Sequence, residues 1–282
     1  MWSPNPDTYP NSKPSNNAPQ FFSVPHTEIP STQASNLGAN MKLIIAGATG
    51  LLGTEIVRQS LQIPEITQVV ALAHQTVHLN ESIDSSKLRN VIIDDYGQYP
   101  DDVKSEFAGA DACIWTVALT PLQPSSDFAE VKRVCQDCTK LGFEAMCEAG
   151  PARPFRFIYL SAGGTPRDPT KDPVILPEFF IMRRNTELMV QRFPTEKEGI
   201  EVCIARPGVI SNSTTWSRAL VANLWRIINR FGQSLPSIQR SELAAAVLNQ
   251  VMDGFEKRTL LNSDLVRLGR RELEFRSTPR FS

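Results

Sequence analysis

From Met41 onward the chain alternates short apolar runs with longer stretches whose apolar residues return at helical spacing. The runs are KLIIAG (42–47), QVVALA (68–73), VIID (91–94), ACIWTV (112–117), RFIYLS (156–161) and EVCIAR (201–206). Each is nearly continuous and bounded by polar residues, Gly or Pro, which is the pattern of a strand covered on both faces of a parallel sheet. GTEIVRQSLQ follows the first run as a helix. DFAEVKRVCQDCTKLGFEAMCEA sets Phe128, Val131, Cys135, Cys138 and Ala145 or Met146 along one helical face, behind Asp127 and Glu130 in capping-box arrangement. Strand and helix in alternation predict an α/β fold with a doubly wound parallel sheet. After Arg206 helical patterns take over, SRALVANLWRIINRFG (217–232) and SELAAAVLNQVMDGF (241–255) being the clearest. Residues 41–282 are expected as one domain in which 206–282 mainly form a substrate-side lobe over the sheet's carboxyl edge.

Before Met41 the pattern is different. WSPNPDTYPNSKPSNNAPQ is Pro, Asn and Ser with little to bury, so residues 1–40 are expected as a disordered tail, and Met41 is a candidate start. The tail has neither the charged start nor the apolar core of a secretory signal, and no apolar run reaches the length of a membrane span. The expected setting is the cytoplasm. A formal net charge of −1 leaves no basic excess for nucleic-acid phosphates. The five cysteines read as reduced thiols, and Cys135 and Cys138, although a CxxC, have no second pair at zinc spacing and read as one apolar helix face.

The motif with chemical content is MKLIIAGATGLLGTEIV, which puts Gly47, Gly50 and Gly53 in GxxGxxG spacing between a strand and a helix. Gly47 permits the tight turn, Gly50 lets backbone approach a pyrophosphate, and Gly53 lets the helix lie close on the strand. Exposed amides and the helix dipole then attract phosphate, so Gly47, Thr49, Gly50, Leu51, Leu52 and Gly53 are expected to bind a dinucleotide in a Rossmann fold. At the end of the second run an NAD site would carry an acid; here stands His74, which removes repulsion against a 2′-phosphate and favours NADP, with NAD the alternative. His74 also fits an ordinary surface residue. Asp94 and Asp95 end the third run, where they fit either an acceptor for the adenine amino group or turn residues.

Together these residues resemble the atypical and extended short-chain dehydrogenase/reductase superfamily. GATGLLG matches its cofactor turn, IIDD its adenine-side acid, YLSAGG its fifth strand ending in serine, and IARPGVI (204–210) its Arg-Pro-Gly segment, in which Pro207 falls beside the cofactor. The order of an RPG segment, a Trp-containing helix, a Leu-Pro turn and VLNQV is similar to the Tat-interacting-protein and NmrA-like branch. The resemblance spans about residues 41–270. It implies that Ser161 hydrogen-bonds a substrate carbonyl. It also implies that the family's Tyr-x-x-x-Lys falls on Phe179 and Arg183, with Glu187 completing the pattern. Phe179 cannot exchange a proton. Arg183 could still hold ribose hydroxyls, with a fixed charge and a fork geometry unlike lysine's. Tyr159 shares Ser161's side by strand alternation and reads first as core, and His74 and His78 lie too early to replace the acid.

On the substrate side, Asn212, Trp216 and Arg218 are candidates, while Arg218, Arg226 and Arg230 fit a solvated helix stripe better than an anion clamp. The loop GGTPRDPTKDPVILPE (163–178) bridges the serine to the next helix as a substrate cover. The expected function is an NAD(P)-binding oxidoreductase-like protein acting on a small organic molecule, or a hydride-independent enzyme of the same kind. The alternative is a non-catalytic, dinucleotide-sensing regulator.

Overall fold

The computed structural model describes residues 40–119, 127–166, 173, 176–211 and 236–278. All six apolar runs are strands: β1 (Met41–Ala46), β2 (Ile66–Ala73), β3 (Leu88–Ile92), β4 (Ala112–Trp115), β5 (Phe155–Leu160) and β6 (Ile200–Arg206). Two short strands, β7 (Val209–Ser211) and β8 (Ser237–Gln239), pair with each other, and β9 (Thr259–Leu261) joins the main sheet. That sheet runs β3-β2-β1-β4-β5-β6-β9 with every pairing parallel.

The helices are α1 (Leu51–Ser60), α2 (Asp101–Ser105), α3 (Phe128–Lys132), α4 (Cys138–Glu148), α5 (Pro177–Val190), α6 (Phe193–Glu196), α7 (Arg240–Asp253) and α8 (Asn262–Ser277). A π-helical turn, Arg133–Asp137, joins α3 to α4. Because successive strand residues point to opposite faces, the buried runs supply two cores at once. Leu43, Ile45, Val69, Ile114 and Ile158 pack with Ile56 and Val57 of α1 and with Leu243, Val247 and Leu248 of α7. Ile44, Val70, Trp115, Phe157 and Tyr159 pack with Phe143 of α4 and Phe193 of α6, whose rings stack at 3.7 Å. Full burial of a side chain of this size contributes about 1.5–3 kcal/mol, so this two-sided packing holds the strand ends in place.

The region expected mainly as a substrate-side lobe contributes β9 to the main sheet, and α7 packs on α1 through the core. The helix expected at 217–232 and the tail before residue 40 lie outside the described residues. No helix among the described residues is long and apolar enough to cross a membrane.

Candidate functional site

Strand order reverses between β1 and β4, and the crevice outside their carboxyl ends is where open α/β sheets bind ligands. Gly47 leaves β1 with φ +81, and a Cβ there would stand 2.5 Å from Thr116 Oγ1, just past the end of β4. The Thr116 hydroxyl donates to Ala46 O at 2.7 Å and locks that approach. Gly50 N–H donates to Gly47 O at 2.9 Å and closes the turn. A Cβ on Gly53 would lie 2.1 Å from Gly47 O, so the helix rests directly on the turn's backbone. The first turn of α1 holds no acidic residue and receives no side-chain cap, while Thr49 and Gly50 are exposed. Leu51 is half-buried and Leu52 packs into the core. Uncapped amides at the head of a helix, with glycine where a side chain would intrude, fit a pyrophosphate.

At the end of β2, His74 is exposed and its Nδ1 lies 2.8 Å from Ile93 O. A carbonyl only accepts, so Nδ1 carries the proton and Nε2 remains for a further partner. Its ring meets Tyr96 edge-on at 4.9 Å. The two acids after β3 part company. Asp95 accepts from Gly97 N–H at 2.8 Å and from Arg133 Nη1 at 2.9 Å, which makes it a turn residue paired across to the π-helical turn. The Arg133 hydrogen bond, then the Gly97 amide, hold its carboxyl below the usual range. Asp94 is exposed.

On the other side of the reversal, Ser161 follows β5 and its N–H donates to Ala205 O at 2.8 Å. Its hydroxyl is buried and lies 3.4 Å from Thr165 Oγ1, itself buried. Pro207 is buried, and its carbonyl accepts from Gly163 N–H at 2.7 Å, so the serine turn and the Arg-Pro-Gly segment are bound together. Helix α5 begins after Leu176, whose φ is +47, and sets Phe179 and Arg183 against this corner. The ring of Phe179 packs with Val131, Cys135 and Met182 in a small apolar cluster.

Arg183 is 3% exposed. Its Nη2 donates to Leu160 O, and its guanidinium carbon lies 5.0 Å from the centroid of the Tyr159 ring and 6.0 Å from that of Phe179. Among the described residues, Nε and Nη1 are buried without a hydrogen-bond partner. One turn on, buried Glu187 takes its partner from β6 instead, the half-buried Arg206, at 3.0 Å from Nε to Oε1. Tyr159 is fully buried, and burial pushes its hydroxyl up to about 12 against the pull of Arg183.

The fold thus gathers Gly47, Gly50, Gly53 and Thr116 on one side of the reversal and Ser161, Phe179, Arg183 and Pro207 on the other, with His74 and Asp94 at the ends of β2 and β3. Asn212, Trp216, Arg218, Arg226 and Arg230 lie outside the described residues, as does most of the middle of the 163–178 loop. Thr116 and Thr165 escaped sequence reading. Thr116 had a signal, its place just past the strand that borders the glycine turn; Thr165 had none.

A family model described as NAD(P)H-binding matches residues 47–253. No curated protein sequence matches the chain. Among solved structures, MoeE5 in complex with UDP-glucuronic acid and NAD is similar with a TM-score of 0.59 at 16% identity, over 78% of this chain and 75% of that one. A double mutant of DesIV, a dTDP-glucose 4,6-dehydratase from Streptomyces venezuelae with NAD bound, gives 0.56 at 16% identity over 83% and 81%. A short-chain dehydrogenase/reductase from Saccharomyces cerevisiae, YIR035C, gives 0.57 at 11% over 81% and 99%. At these identities the likeness is one of fold.

Proposed function

The chain belongs to the NAD(P)H-binding family, and from that premise we propose that it is an NADP-preferring oxidoreductase of the short-chain dehydrogenase/reductase type, acting on a small carbonyl compound. The observation that carries the reading is the Gly47–Gly53 turn, closed to any Cβ at Gly47 and Gly53 and opening the uncapped head of α1 beside the strand-order reversal. In this reading Gly47, Thr49, Gly50, Leu51, Leu52 and Gly53 hold the pyrophosphate and Asp94 faces the adenine. His74 Nε2 meets the 2′-phosphate, and Arg183 and Pro207 lie at the nicotinamide end.

The bound dinucleotide supplies or accepts hydride. Ser161 donates its O–H to the substrate carbonyl and stabilises the oxygen as negative charge develops. The usual proton donor is missing, because Phe179 has no exchangeable proton and is packed among Val131, Cys135 and Met182. Water or the substrate itself then delivers the proton, and turnover is slow. The apolar seat of Phe179 and the sealed hydroxyl of Tyr159 support a second reading, a dinucleotide-sensing regulator of the NmrA-like kind.

Fluorescence titration with NADPH and NADH, followed by cofactor turnover on a panel of ketones and aldehydes, tests both. The oxidoreductase reading expects tighter NADPH binding and slow turnover that increases in Phe179→Tyr/Arg183→Lys. Tight NADPH binding without turnover in either protein leaves the sensor, and no binding of either dinucleotide sinks both.

A further inference from the structure

Three charges stand at the corner of α5, β5 and β6: buried Arg183 and Glu187, and half-buried Arg206. Glu187 is taken by Arg206 through three N–H···O contacts. That leaves Arg183 with two nitrogens that are buried and unpartnered among the described residues. A guanidinium stays charged at every physiological pH, so the cost of burial cannot be relieved by losing a proton. A buried charge of this kind is strongly unfavourable unless an opposite charge with hydrogen-bond acceptors joins it. Aromatic faces, here Tyr159 and Phe179, ease the cost without supplying acceptors.

We propose that Arg183 is the anion site for the substrate, and that the substrate carries a carboxylate beside the carbonyl that Ser161 holds, as in a 2-oxo acid. A planar carboxylate matches the fork of a guanidinium through two parallel N–H···O bonds. Arg183 is tied to the carbonyl of Leu160, the residue before Ser161, and in this proposal one short substrate spans from the guanidinium to the serine hydroxyl. Entry is from the Phe179 side, since that ring is half-buried in the first turn of α5, whereas Tyr159 is sealed in the core. The identity of the carrier rests on the oxidoreductase reading; the anion site itself does not.

The test is thermal unfolding with oxamate (a carboxylate that cannot be reduced), with neutral oxamide and with inorganic phosphate, each with and without NADPH. At roughly ten times its Kd, oxamate raises the wild-type unfolding temperature by about 3 °C. Oxamide does not, and Arg183→Met weakens oxamate binding about tenfold or more. Arg183→Lys, which keeps the charge, retains part of the shift, and it carries the test if the Met variant does not fold. An equal shift in Arg183→Met, an equal shift with oxamide, or no shift in the wild type overturns the site. Phosphate matching oxamate, with both displaced by NADPH, assigns the anion to the cofactor and overturns the carboxylate substrate. NADPH binding is read by fluorescence in the same samples, so loss of the dinucleotide reading shows separately from loss of the anion site.

Discussion

Gly53→Ala is a substitution for which the helix and the tertiary structure demand opposite signs. Gly53 lies inside α1, and replacing an interior helical glycine by alanine stabilises an isolated helix by about 0.5–1 kcal/mol. In the folded protein the new Cβ would stand 2.1 Å from Gly47 O and 2.9 Å from both Ala48 Cα and Gly47 C. All three atoms are backbone, and Gly47 is pinned by its N–H to Leu72 O at 3.0 Å, so none can rotate away. Restoring ordinary contact needs α1 to retreat by about 1 Å or more. Overpacking of this kind costs about 1–3 kcal/mol, which outweighs the propensity gain. The expected net loss is about 1–2 kcal/mol, or about 3–6 °C in unfolding temperature. If the first-turn amides hold the pyrophosphate as proposed, the same retreat lowers NADPH affinity about tenfold. Urea unfolding should show a lower midpoint at unchanged m, with NADPH titrated by fluorescence in parallel. Gly109→Ala is the control. Its φ is +67 with nothing within 4 Å of the new Cβ, so it loses stability through backbone strain alone and keeps its NADPH affinity. A midpoint for Gly53→Ala at or above wild type refutes the steric reasoning.

His74→Ala should lower NADPH affinity about tenfold and leave NADH unchanged, and an equal change in both would remove His74 from the 2′-phosphate. Glu187→Gln strips the buried partner from its pair with half-buried Arg206 and should cost about 3 kcal/mol in chemical denaturation; a loss below about 1 kcal/mol would mean the pair is solvent-screened. Burial pushes Tyr96 and Tyr159 up to about 12 from an ordinary value of 10.0, so keeping them neutral contributes stability below pH 10 that is lost as pH rises toward 12. Their phenolate absorbance should therefore appear together with unfolding, and its appearance in folded protein would contradict the burial. Asp95 has the opposite sign. Its depressed carboxyl contributes stability above its ordinary value of 3.8 that is lost as pH falls through the lower folded value, so Asp95→Asn should flatten the acid limb of a pH–stability curve.

The main strands were legible because two-sided burial writes unbroken apolar runs, and the glycine turn because only glycine tolerates those approaches. β3 starts earlier than expected since Arg89 and Asn90 belong to an edge strand, where polar residues hide the pattern. β7, β8 and β9 are three residues each, too short for any periodicity to register. In α8 only Leu265, Leu268 and Gly269 are buried, a stripe too narrow to stand out among its charges. At the site, Phe179 and Arg183 were singled out by the resemblance to a family pattern that Glu187 completes. The unpaired state of Arg183 could not be read that way, because a spacing of four on a helix points to an Arg183–Glu187 pair, and a partner from β6 prevails. The Arg133–Asp95 bond was hidden for the same reason, joining residues far apart in the chain.

The packing of α7 on α1 also bears on how the protein is made. Ile56 and Val57 of α1 share a core with Leu243, Val247, Leu248 and Val251, and Gln59 Nε2 reaches Ser241 O at 3.1 Å. During synthesis the glycine turn emerges before α7, and the part of its helix that α7 covers stays open until the chain has been translated past residue 253. Until then a nascent chain carries an apolar helix face open to other chains, the condition under which aggregation competes with folding. A chain cut short before α7 would hold every glycine of the Gly47–Gly53 turn and yet lack the helix that braces α1 behind it.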